Sequence, residues 1–356
     1  MLCCMTNEGS GRRISVGQHT VPRHMLARFT NDDGRLTVVR RDPKLKVLLN
    51  QAPENVGTQR HLNNWRDKEG NWHDDLEAGP LGRLDSVGKE EIDEALRFAI
   101  EADAEAHLRL LDRDLEQRAT LQLFVASLMV RTIGFRELFD EAALPTLLAY
   151  MRRRLEEEFA AGRADREAYE VVRKTLDTPS NMRLTPPPYR HLNLLVPLIE
   201  KVATRLHLDT LVGVRRFGES LLFTGAEPVV MFPDADVSRG CSSGELLATG
   251  EIPIEPWQEM DKLLEQVEAR LSEVAGLAVA LDPHTLLMMF HADRDDGGKL
   301  AYISSQVPPE ALAGAINVTV AGEYLFPGDA HARYRPLEAR GHERLATLGL
   351  RDVVPA

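Results

Sequence analysis

The run Leu121 to Ile133, LQLFVASLMVRTI, constrains the fold more than any other stretch. At helical spacing Leu121, Val125 and Leu128 share one face, while Leu123 and Val130 lie opposite. A helix apolar on two faces must be covered on both sides, so it is expected at the centre of a bundle. A chain of 356 residues, 43% of them hydrophobic, has enough material for such a core. Aromatics are only 6%, so that core must be mostly aliphatic.

Periodicity divides the rest around this helix. Residues 1–15 read as a loose tail, and 16–86 as a helix, a strand and a loop-like segment holding Trp65 and Trp72 with His61 and His73. Residues 87–176 read as helical, including Ile92, Leu96, Phe98, Ile100, Leu108 and Leu111. Residues 177–189 form a linker, because Pro186, Pro187 and Pro188 exclude a helix and favour an extended chain. Residues 190–330 mix elements: a helix over 192–206, strands over 210–214, 220–224, 228–232, 277–281 and 285–290, a loop over 233–249, and helices over 257–274 and 308–325. Residues 331–356 are a C-terminal segment. Strands and helices do not alternate strictly. The expected class is therefore α+β, a helical central bundle with a mixed or antiparallel sheet formed mainly by the C-terminal half.

The formal net charge of -12 repels a polyanion at long range and disfavours broad nucleic-acid binding, though not a local basic groove. Cys3, Cys4 and Cys241 make neither a disulfide framework nor a zinc site, which fits a reducing, cytoplasmic protein. The opening MLCCMTNEGSGRR lacks the apolar run of a signal peptide, and no stretch approaches the roughly 20 apolar residues of a membrane span.

The densest polar motif is Gln18 to Phe29, QHTVPRHMLARF. Thr20 and Pro22 suit a helix start, and Val21, Met25 and Phe29 form one helical stripe. Arg23 and His24 are expected opposite that stripe, exposed. His19 precedes the helix, where outward N–H groups favour an anion; it reads either as a general base or as a backbone tie.

Four places carry a resemblance to the domain-of-unknown-function family 4238. They are QHTVPRHMLARF; Arg131 closing the run VASLMVR; TGAEPVV from Thr224 to Val230; and LDPHTLLMMF from Leu281 to Phe290 together with Asn317. The resemblance is similar in order from about residue 18 to 330. It implies that the N-terminal motif packs against the C-terminal strands, and it implies no established activity. Where relatives read Ser-Asp-Asn, this chain has Gly225-Ala226-Glu227, so the family carboxylate is either lost or moved to Glu227.

These residues set the functional expectations. His19 and Glu227 are the candidate catalytic groups, and Arg131 and Asn317 the candidate anion-binding groups. Arg131 reads as a bidentate anion clamp or a structural ion pair, since a buried guanidinium requires a counter-charge. Asn317 either orients a catalytic group or bonds a neighbouring strand. The loop from His291 to Gly298 superficially suggests a metal loop, but Asp295-Asp296-Gly297-Gly298 reads as a hairpin turn. His73, Asp74, Asp75 and Glu77 read as a solvated patch, so no metal ligands are assigned. No dinucleotide, phosphate-loop, zincin or nucleophile-elbow motif occurs, and no cofactor is specified. Two functions follow: a hydrolase acting on a phosphodiester or other anionic substrate, or a non-catalytic protein that binds a ligand or partner. A small anionic ligand or a nucleic-acid fragment is the expected partner, with no membrane.

Overall fold

The computed structural model describes residues 14, 17–40, 46–67, 70–102, 107–111, 114–132, 134–135, 148, 151–178, 190–219, 222–237, 240–242, 265, 269–271, 273–291, 295–319 and 323–327. The core is built on the hairpin of β12 (Gly276–Asp282) and β13 (Thr285–His291). Pro283 and His284 make its two-residue turn, and His284 N donates to Asp282 Oδ1 at 2.8 Å. Every residue of β13 and all of β12 but Asp282 are buried, so both faces of the sheet are covered.

This hairpin centres a six-stranded antiparallel sheet. β12 pairs with β10 (Val229–Phe232), which pairs with β11 (Cys241–Ser242) at one edge. On the other side β13 pairs with β8 (Thr210–Arg216), and β8 with β7 (Arg109–Leu110). Apart from β7 the sheet comes from the C-terminal half, as the class α+β requires. Leu108 and Leu111 therefore flank an edge strand rather than a helix: Leu111 N donates to Val212 O at 2.8 Å. The expected loop over 233–249 also contains β11, whose pairing to β10 is a tertiary contact without local signal.

Helices cover this sheet. α1 (Arg23–Arg28) touches β12, and α2 (Gly82–Glu101) touches β8 and β13. α3 (Leu115–Val130) reaches β10 and packs on both α2 and α6 (Arg190–Asp209). Asp114 caps α3, its carboxylate accepting from Gln117 N at 2.9 Å. From Leu121 to Val130 every residue but Leu123 is buried, as a helix apolar on two faces demands. Each such aliphatic side chain contributes about 1.5–3 kcal/mol by leaving water. Gln122 and Ser127 are the polar exceptions: the Gln122 amide donates to Leu206 O at 3.0 Å and Thr210 Oγ1 at 2.9 Å, and the Ser127 hydroxyl donates to Phe124 O at 2.7 Å. Farther out lie α4 (151–160) and α5 (Arg166–Leu176). Of the linker expected over 177–189, residues 179–189 lie outside the described residues.

A second, four-stranded sheet joins the two ends of the described chain. Its order is β3 (Lys46–Gln51), β2 (Leu36–Arg40), β14 (Glu323–Pro327) and β9 (Thr224–Gly225), with Leu325 opposite both Val38 and Thr224. The N-terminal segment thus packs on C-terminal strands. Three expectations change in the C-terminal half. The last helix, α8 (Pro309–Thr319), ends before Tyr324, because pairing with β2 and β9 outweighs a helical spacing that continued into EYLFP. The strand expected over 220–224 is Thr224–Gly225 among the described residues. Asp295 and Asp296 do not make a hairpin turn: they open α7 (Asp295–Gln306), where their charge favours the helix N-terminus. Arg215 closes the other end of α7, donating to Ser304 O and, at 2.8 Å, to Val307 O.

The boundary expected at residue 86 also moves. A wide π-type turn, Glu77–Leu81, with Pro80 inside, leads directly into α2, so Leu84 and Asp85 are helical. Inside α2, Gly88 is forced by packing: a Cβ there would lie 2.0 Å from Phe124 Cδ2. Gly88→Ala is expected to cost about 1–3 kcal/mol by pushing α3 off α2. Gly298→Ala, where nothing lies within 4 Å, is expected to be neutral or stabilising by up to about 1 kcal/mol. Urea denaturation of both variants checks the contrast.

Candidate functional site

The opening motif is used first to anchor the chain. β1 (Gly17–His19) pairs with β4 (Thr58–Arg60). Gln18 is fully buried; its amide oxygen accepts from Asn63 N at 2.5 Å and its amide nitrogen donates to Asn64 Oδ1. His19 Nε2 lies 3.1 Å from Pro53 O. A carbonyl only accepts, so Nε2 carries the proton and Nδ1 is the basic nitrogen. Thr20 does not cap α1: its hydroxyl donates to Gly57 O at 3.2 Å, and Pro22 stands at the helix start without a side-chain cap. Arg23 is exposed and pairs with Glu54.

The segment expected to be a loop around the tryptophans is a hairpin of β5 (Trp65–Arg66) and β6 (Trp72–His73). Trp65 and His73 are cross-strand partners and stack at 4.1 Å, while His61 stacks on Trp72 at 3.9 Å. These contacts link residues four or more apart in sequence, which single-strand periodicity does not register. The acidic patch is tied into the same unit. Asp75 accepts from Trp65 Nε1 at 3.3 Å and Glu77 from Asn63 Nδ2 at 2.7 Å. His73 and Asn71 hydrogen-bond Asp67 and lower its carboxyl to about 2. Among the described residues no group of three His, Cys, Asp or Glu side chains could hold a metal ion.

The strongest concentration of buried polar chemistry is the elbow that follows α3. Arg131 has 1% of its side chain exposed. Its guanidinium runs back along the helix, as helical side chains do, donating to Asp85 Oδ1 at 2.8 Å, Asp85 Oδ2 at 3.3 Å and Ser127 Oγ at 3.3 Å. Asp85 is 24% exposed, so the pair leads from the interior to the surface. Among the described residues Arg131 Nε is buried with no hydrogen-bond partner. His24 stands nearby on α1, its ring 5.6 Å from that of Phe124, and its Nε2 is likewise buried without a partner. The expectation of an exposed His24 is thus corrected. At roughly 100° per residue His24 lies on the flank of the Val21–Met25–Phe29 stripe, not opposite it. Burial lowers His24 to about 4; Asp85 opposes that shift, and Arg28, Arg131 and Lys89 add to it.

Thr132 and Gly134 turn the chain at this elbow. Thr132 Oγ1 accepts from Phe135 N at 3.3 Å, as a helix N-cap does, and Gly134 is the first described helical residue beyond it. Glu227, 9% exposed, lies against Gly134: a Cβ there would be 1.9 Å from Glu227 Oε1. Asn317 fastens the same segment from its other side, its Oδ1 accepting from Phe223 N at 2.9 Å.

Arg131, Glu227 and Asn317 therefore all act on the elbow or on the 222–228 segment beside it, whereas His19 is tied to the Pro53 turn. Sequence reasoning missed Asp85, His24 and Gly134. A helix start placed before residue 85, and a count of angular position for His24, would have pointed to the first two.

Two predictions follow from this geometry. The unfolded chain protonates His24 near 6.5 and the folded chain near 4, so between those values the unfolded state binds more protons. Stability is unaffected above that window and falls as pH drops through it, by about 2 kcal/mol once partial exposure is allowed for. Urea melts of His24→Gln should show a flatter pH dependence there; an unchanged slope would assign it to other groups. Gly134→Ala should cost about 1–3 kcal/mol by displacing Glu227. A double-mutant cycle with Glu227→Ala should recover most of that loss.

Comparison with known proteins gives a family and no activity. No curated protein and no solved structure matches the chain. One family model does match, over residues 17–214, a span that contains the opening motif, Asp85, Arg131 and Gly134 and ends before Glu227 and Asn317. With more than half of its length matched, the chain belongs to the protein-of-unknown-function family DUF4238.

Proposed function

We propose that this protein binds a small anionic ligand at the elbow after α3, with Arg131 as the charged floor of the site. The observation that carries this reading is the guanidinium itself. It is 1% exposed, its Nε–H has no partner among the described residues, and it stands behind a carboxylate that reaches the surface. An unmet buried donor costs about 1–3 kcal/mol, and an oxygen-rich ligand would meet it. The surroundings favour an anion. Arg28, Lys89 and Arg131 face two carboxylates, Asp85 and Asp93, in a chain whose overall charge is -12. The sparse cysteines support a cytoplasmic setting, and among the described residues no helix is long and apolar enough to cross a membrane.

A hydrolytic reading has one observation in its favour, the half-buried imidazole of His24, kept neutral, with a buried Nε2 unpartnered among the described residues. There the base would be His24 through Nε2 or His19 through Nδ1. Glu227 would serve as the carboxylate, and Asn317 would steady its segment. The substrate would be a phosphodiester.

Calorimetric titration with inorganic phosphate, phosphate monoesters and short oligonucleotides tests both readings. Binding is expected in the wild type, weakened at least about tenfold in a folded Arg131→Gln variant and retained in His19→Ala. Absence of binding across the set would remove the ligand reading. Turnover of a phosphodiester that His24→Gln or His19→Ala abolishes would instead establish the hydrolase.

A further inference from the structure

We infer that the Asp85 carboxylate is an internal stand-in for the ligand, occupying the anion site of Arg131 until an external oxyanion displaces it. The inference rests on the ligand-binding reading of the elbow and adds its regulation. Four observations carry it. Arg131 presents the two ends of its guanidinium to Asp85 in the paired geometry with which it would hold a free carboxylate or phosphoryl group. Its third nitrogen, Nε, is buried and unmet among the described residues, so Asp85 does not saturate it. Asp85 is 24% exposed against 1% for Arg131, so the anion can turn out to water while the cation cannot. Asp85 also sits in the first turn of α2, directly after the π-type turn Glu77–Leu81, where the hydrogen-bond spacing changes from π to α.

The exchange conserves charge at the buried end. An incoming oxyanion replaces one carboxylate beside Arg131, and Asp85 moves into solvent, where its charge is hydrated. Lys89, one turn along α2, already shares Asp93 with Arg28 and offers a nearby cation. The unpartnered Nε2 of His24, as the N–H tautomer, supplies a further donor to the arriving group. The class of ligand is thus a carboxylate or a tetrahedral phosphoryl oxyanion small enough to reach a guanidinium at the floor of the site.

The test is chemical rescue. Thermal unfolding of Asp85→Ala is measured in chloride, acetate and inorganic phosphate at matched ionic strength, beside wild type and the double variant Asp85→Ala/Arg131→Gln. The inference expects acetate or phosphate to raise the Tm of Asp85→Ala by at least about 3 °C over chloride, with a smaller rise in wild type, where the anion must first displace Asp85, and none in the double variant. Rescue by acetate alone assigns a carboxylate ligand, and rescue by phosphate alone a phosphoryl ligand. If Asp85→Ala folds only when one of these anions is present, the inference is supported. Equal response of Asp85→Ala and wild type, or failure to fold in all three salts, overturns it. If wild type binds a phosphate ester but Asp85→Ala shows no rescue, the stand-in role alone fails. If Asp85→Ala is rescued while wild type binds nothing in the titration set, the ligand reading alone fails.

Discussion

A guanidinium shut off from water has to be answered by charge, and the answer to Arg131 fixes how α3 lies in the molecule. Asp85 meets it from α2, and Ser127 meets it from the preceding turn of α3 itself. That contact sets the register of α2 against α3, which also lets Phe124 lie against Gly88 and bring its ring near His24 on α1. Replacing one partner would leave an uncompensated buried charge, which is why such a pair specifies an arrangement more sharply than it stabilises one. Three helices are thereby indexed to one another before the sheet is considered.

The same elbow connects the helical layer to the strands. Thr132 starts a new helical turn, Gly134 admits the carboxylate of Glu227, and Asn317 holds the backbone at Phe223. β9, at Thr224–Gly225, lies between those two fastenings and pairs with β14, which also pairs with β2. Early and late parts of the chain thus share a sheet whose position depends on the polar contacts at the end of α3. The opening motif contributes from the other side, with Gln18 buried between Asn63 and Asn64 and His19 tied to the Pro53 turn.

Much of the fold was legible because burial leaves a periodic trace. The two-faced helix through Leu121–Val130, the stripe of Val21, Met25 and Phe29, and the apolar strands at 276–282 and 285–291 all read correctly from spacing. Less of the site was legible. Arg131 and Glu227 were singled out as candidate groups, but their neighbours were not. Asp85 was hidden by a helix start placed too late, and His24 by treating a flank position as the far side of a short helix. The Trp65–His73 and His61–Trp72 stacks and the short strands β7, β9 and β11 have no local pattern long enough to announce them.

By itself the sequence determined what each segment had to do with water. It set which helix must be covered on both sides, which strands must be buried, and that a guanidinium at the end of an apolar helix would need an anion. Tertiary structure alone decided which anion. It chose Asp85 for Arg131, the turn at Gly134 for Glu227, and a strand rather than a helix for the residues around Tyr324. The reason is that hydrophobic burial is non-directional and follows from composition along one segment, whereas hydrogen bonds and ion pairs require two particular groups to meet. Those meetings join positions 46 residues apart for Asp85 and Arg131 and 94 apart for Phe223 and Asn317, distances over which no local pattern speaks.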